Sequence, residues 1–187
     1  MSYNASNVGV GKPRLTGSVF KAPIGTELPT DASTDLGSDF AEMGYSADDG
    51  LTNENSRESE EIKAWGGDTV ASPLKSKTDK FKVKLIEVLN SDVLKAVYGD
   101  DNVTGDLTSG LAVAVGADDD EPAVWVFDMV IGSCLKRVVL PNAKITEMGE
   151  IVYRDDEVVG FEITLTALPD ENRETHYEYM VKDEESA

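Results

Sequence analysis

Between residues 78 and 88, apolar Phe81, Val83 and Leu85 alternate with Lys80, Lys82 and Lys84. A period of two sends the two sets to opposite faces, so the stretch predicts a strand with one buried side and one lysine side. The alternation returns at 158–168, where Phe161, Ile163, Leu165 and Ala167 alternate with Glu162, Thr164 and Thr166. Further apolar runs predict strands at 17–21, 41–47, 111–115, 123–131, 136–140 and 145–153. Turn signals divide them at Asp48-Asp49-Gly50, Asp118-Asp119-Asp120, Gly132-Ser133, Pro141-Asn142 and Arg154-Asp155-Asp156, the last predicting a hairpin between two long strands. Such spacing predicts a mainly β chain folded as a β-sandwich or barrel. One helix is expected at 91–98. Val93, Leu94, Val97 and Tyr98 form its apolar stripe, Ser91 is the expected cap, Asp92 suits the positive end and Gly99 ends it.

Two stretches break the pattern. Residues 1–40 read as an extended arm and loop, with Pro23, Gly25, Pro29 and the run from Thr30 to Thr34 marking irregular backbone. Residues 51–65 carry Asn53, Glu54, Asn55, Arg57, Glu58, Glu60 and Glu61 with almost no apolar partner. A strand polar on both faces has nothing to bury in a monomer core, which leaves a projecting hairpin arm or a flexible loop. The expected organisation is one domain over 1–187: the arm and loop, a β core at 41–180 and a frayed acidic tail at 181–187.

Composition and charge then narrow the function. The 187 residues hold 36 acidic and 17 basic side chains, a net charge of −19. Such a chain repels polyanions, which excludes a protein that grips phosphates or reads DNA bases; acidity also keeps an abundant protein soluble. The single cysteine, Cys134, permits no internal disulfide and reads as a buried, inert thiol. The first eleven residues lack the basic and apolar regions of a signal peptide. The longest apolar run, 123–131, is interrupted by Asp128 and is too short to span a bilayer. Folding in a cytoplasm is expected.

Catalytic chemistry finds little to stand on. His176, the one histidine, lies beside Tyr177 and Tyr179 with no serine or cysteine motif, and reads as a solvated or core-edge imidazole. No Cys/His spacing suits zinc. Gly9-Val10-Gly11-Lys12 fails as a phosphate loop, with Ser6 where glycine is required and Pro13 after the lysine. Asp100, Asn102, Thr104 and Gly105 open like a calcium loop, but Leu111 stands where a bidentate glutamate belongs. Asp118-Asp119-Asp120-Glu121 reads as a solvated acidic turn. Trp65-Gly66-Gly67 suits either sugar stacking or the base of a hairpin, and Trp125 reads as core. No catalytic, cofactor or metal residue is expected.

Five segments in order carry a family resemblance. The run from Gly17 to Thr30, GSVFKAPIGTELPT, resembles the opening of major tail tube proteins from long non-contractile-tailed phages (siphophages) of Gram-positive, particularly actinobacterial, hosts. Met43-Gly44-Tyr45 through Asp49-Gly50-Leu51, Glu61 to Asp68 (EIKAWGGD), Phe81 to Gly99 and Leu165 to Asp170 (LTALPD) are similar to later segments of the same proteins. Together they span residues 17–170.

The resemblance implies a structural virion protein, not an enzyme, with a tail tube β fold, one flanking helix and long inter-subunit loops. It implies hexameric rings stacked into a conduit for double-stranded DNA, and as partners further copies, tape measure, tail terminator and tail-tip proteins. It implies no cofactor, no membrane and a place in the virion tail, built in the host cytoplasm. On this reading the segment from Lys21 to Phe40 is expected to reach the next ring, and a hairpin at 41–65 to pair with neighbouring subunits. Residues 75–84 hold five lysines and one acid, +4 within a chain of −19. Lys75, Lys77, Lys80, Lys82 and Lys84, with Glu54, Arg57, Glu58 and Trp65, are therefore the expected assembly residues; Glu147 and Glu162 are the expected lumen acids. Two other readings fit the same residues: a carbohydrate-binding β-sandwich or adhesin, and a tube subunit of a phage-derived particle.

Overall fold

The computed structural model describes residues 3–15, 17–116 and 121–183. In chain order its strands are β1 (Gly11–Pro13), β2 (Val19–Pro23), β3 (Ala41–Glu42), β4 (Thr52–Ser59), β5 (Ile62–Lys63), β6 (Thr69–Ala71) and β7 (Leu74–Leu85). The helix α1 (Ser91–Tyr98) follows, then β8 (Val103–Asp106), β9 (Gly110–Val113), β10 (Ala123–Ile131), β11 (Cys134–Met148), β12 (Phe161–Ala167) and β13 (Tyr177–Lys182).

The main sheet is antiparallel, in the order β3-β2-β10-β11-β12-β7-β4, with β1 added to β10 and β13 to β11. Phe81 on β7 and Phe127 on β10 stack at 6.1 Å although two strands, β11 and β12, lie between theirs in the sheet. Contact between such distant strands requires the sheet to curl around its apolar face. Residues 41–47 stitch the curled edges: Met43 N donates to Val19 O on β2, Ala47 N to Lys84 O on β7, and Ile86 N to Tyr45 O. Closure satisfies backbone groups that an open edge would expose. Gly44 permits the bend between these contacts. Its φ is 66°, and a Cβ there would lie 2.0 Å from the Glu87 carboxyl carbon.

The alternation on β7 and β12 settles inward as Phe81, Val83, Leu85, Phe161, Ile163 and Leu165, all buried. Trp125 and Phe127 complete this core, and α1 covers it with Val93, Leu94 and Val97. Tyr98 meets the edge of Phe161 at 5.7 Å between centroids. The helix bounds agree with the sequence, but its cap is Asn90, whose Oδ1 accepts from Asp92 N at 3.0 Å, rather than Ser91.

Residues 24–40 lie over the outer face of β2, β10 and β11. Leu28, Leu36 and Phe40 cover a second apolar layer of Ala22, Val124, Val126 and Val139. Buried Arg137 clasps this segment. Its Nε and Nη2 each donate to Asp128 at 2.7 Å, while Nη1 donates to the carbonyls of Asp31 and Thr34 at 3.1 and 2.8 Å. The stretch expected to reach outward is thus folded onto its own sheet, because one guanidinium ties its backbone down.

Other expectations shift for local reasons. β11 runs through Pro141-Asn142 instead of turning there, since the β10 pairing skips a register at this point and asks no N–H of Pro141. The β11–β12 connection is longer than the Arg154-Asp155-Asp156 turn, for Tyr153 and Val158 are exposed in an unpaired loop. Cys134 is half-buried at the start of β11 rather than enclosed. Residues 181–182 belong to β13, and 184–187 lie outside the described residues, as does most of the acidic turn at 118–121.

Candidate assembly surface

β4 and the first half of β7 leave the barrel as a two-stranded ribbon. Every residue of β4 is exposed, and the pairing runs from Thr52↔Lys82 to Ser59↔Leu74. The hairpin therefore joins β4 to the lysine strand, not to the 41–47 segment. At its tip β5 and β6 form a smaller hairpin closed by Ala64 N donating to Asp68 O at 2.8 Å. Trp65 sits in that turn fully exposed, at the tip of the arm and not its base, with Ile62, Val70 and Leu74 also exposed nearby. A lone two-stranded ribbon is marginal in water, so within the chain this arm depends on its anchorage at the root.

The root of the arm is a polar node. The Asp79 carboxylate is buried, accepting from Asn53 Nδ2 on β4 at 2.8 Å and from Thr175 Oγ1 at 2.7 Å. The Nδ1 of His176 meets the same carboxylate at 2.5 Å, and its ring stands edge-on to Phe81. Burial works to raise the Asp79 pKa, but the hydrogen bonds from Thr175, Asn53 and His176 outweigh it and hold the pKa below 3.8. Asp170 prepares the C-terminal side of this node, accepting from the Asn172 and Glu174 amides and from the Tyr177 hydroxyl. Sequence reasoning passed over both Asp79 and β13. The one legible signal was the alternation of Tyr177, Tyr179 and Val181 within an acid-rich tail.

The lysine face of β7 is matched inside the chain. Lys80 pairs with Glu147 on β11 at 2.6 Å, Lys82 with Glu162 on β12 at 2.8 Å, and Lys84 with Glu157 at 3.6 Å. Hydrogen bonding to these carboxylates raises the Lys80 and Lys82 pKa values, and the Lys80 bond lowers that of Glu147. The expected assembly lysines and the expected lumen acids thus form one cross-strand ladder. Glu54 opposes Lys80 in register, and Glu58 lies 3.9 Å from Lys75.

Arg57 and Lys77 differ from the rest. They stand directly opposite each other on the arm, and among the described residues neither has an acid within salt-bridge reach. Opposed like charges destabilise a strand pair. In a chain with twice as many acids as bases, an unmatched cation pair marks a surface suited to an acidic neighbour.

Among the described residues no group of three or more His, Cys, Asp and Glu side chains is placed to hold a metal ion, and no helix is long and apolar enough to cross a membrane. A family model described as phage tail tube protein matches residues 1–187. No curated protein matches the chain. Among solved structures, the cryo-EM structure of the anti-feeding prophage cap (AFP tube terminating cap) is similar at 10% identity with a TM-score of 0.47, covering 97% of this chain and 100% of that one.

Proposed function

The chain belongs to the phage tail tube protein family, and from that premise we propose that its copies close into hexameric rings that stack into the conduit for double-stranded DNA. The observation that carries this reading is the arm, a ribbon exposed on both faces whose Arg57–Lys77 pair meets no acid among the described residues. Pairing along the free β4 edge would satisfy its open backbone groups with those of another copy. The chain acts as scaffold rather than enzyme and meets tape measure, terminator and tail-tip proteins at the ends of the tube, in a virion tail assembled in the host cytoplasm. A net charge of −19 suits a bore that must let DNA slide without holding it.

Negative-stain microscopy of the concentrated protein tests the reading directly. Hollow tubes or stacked rings are expected. Dispersed monomers at every salt and protein concentration, with or without added tail-tip protein, would overturn it.

Charge reversal separates the two cationic groups. Arg57→Glu with Lys77→Glu is expected to abolish tube formation while the monomer keeps its circular dichroism and melting temperature, because both residues project from the arm. Tubes of normal length and yield from this variant would show that the pair meets no acidic neighbour.

A further inference from the structure

The apolar tip of the arm has a matching groove on the same chain, at a place it does not touch. This groove, of about 450 Å³, is lined by Val8, Gly9, Val10, Lys12, Val130 and Gly132. Gly9 is required for its shape, since a Cβ there would lie 2.7 Å from the Ile131 side chain and 2.9 Å from the Gly132 amide. The segment can therefore lie against the end of β10, leaving Val8 and Val10 exposed as a rim.

Position and charge favour one occupant. β7 is antiparallel to β12 and β12 to β11, so β7 and β11 run parallel. The start of β7, which leads from the arm tip, therefore lies at the same end of the sheet as the start of β11, next to Gly132. Copies related by rotation about an axis along the strands bring tip and groove to the same level. Residues 60–71 carry Glu60, Glu61 and Asp68 against Lys63 alone, whereas the residues lining the groove include Lys12 and no acid. An acid-flanked indole thus faces a cation-flanked apolar groove.

Resting on the assembly reading above, we propose that Trp65 of one copy seats in the Val8–Val10–Val130 groove of the adjacent copy in the same ring. The contact joins two different patches, so it propagates from copy to copy and closes when the rotation closes. Aromatic anchors in such pockets carry much of an interface's binding energy.

The test uses the full chain with Cys134→Ser, Ala64→Cys and Val10→Cys, which leaves Trp65 in place, assembled and then treated with a short bis-maleimide. A ladder of covalent multimers is expected on a denaturing gel, absent from each single-cysteine variant. Separately, Trp65→Ala should raise the concentration needed for assembly by at least about tenfold while leaving the monomer's melt unchanged. Acrylamide should quench Trp65 in the monomer and lose access to it on assembly, with buried Trp125 silent throughout. Tubes that form normally but give no ladder, or Trp65 emission equally quenched in both states, would overturn this contact and leave the assembly reading standing. If the unmodified chain forms neither rings nor tubes, both fall.

Discussion

Arg137→Ala is expected to destabilise the chain by about 3–5 kcal/mol, because it strands a buried carboxylate and two backbone carbonyls at once. Asp128 loses both of its 2.7 Å bonds and is left with Arg14, 3.6 Å away, among the described residues. The carbonyls of Asp31 and Thr34 lose the donor that pins residues 24–40 to the sheet. For a chain of this size the melting temperature should fall by on the order of 10 °C, and hydrogen exchange across 24–40 should rise ahead of the barrel. Lysine should not rescue it, since one ammonium cannot reproduce a planar fork bonded on two sides. A melt within a degree or two of the parent, with unchanged exchange at 24–40, would show that the apolar layer alone holds the segment.

Asp79→Ala should cost about 3 kcal/mol and loosen the arm before the barrel. Asn53 on β4 and Thr175 and His176 before β13 all lose the acceptor that joins the two segments. Exchange should rise first in β4 and β13. The node also makes the fold acid-sensitive. Its folded pKa lies below 3.8, so the folded state holds this proton more weakly than the unfolded chain does. The stabilisation is complete above the unfolded value and disappears as pH falls through the depressed one. Asp79→Asn, which keeps the shape without the titrating group, should melt at lower temperature at pH 7 and lose less stability than the parent between pH 5 and 2. Parallel acid transitions in the two proteins would place the acid sensitivity elsewhere, among Asp31, Asp106, Glu147 and Asp170, whose pKa values are also lowered.

Much of this chain was legible from local pattern alone. The period of two at Phe81–Leu85 and Phe161–Ala167 named the buried faces, because alternation assigns a face without reference to any partner. The helix stood out by its apolar stripe, and the polar stretch at 51–65 declared that it could not belong to a core. What local pattern left open was partnership. The arm's β4 pairs with β7, fifteen to thirty residues away, and the ladder lysines find their acids on β11 and β12, some seventy to eighty residues further on. Asp79 looked like one acid among lysines, and Arg137 like one of two neighbouring cations in an apolar run. Each acquires its role from groups about a hundred residues distant in the chain. Side-chain periodicity is a property of one strand, so sequence determined which residues face inward. Register, curvature and burial belong to several strands together, and only the closed barrel decided which charges are matched, which cations stay unmatched, and that the tryptophan stands at the end of an arm.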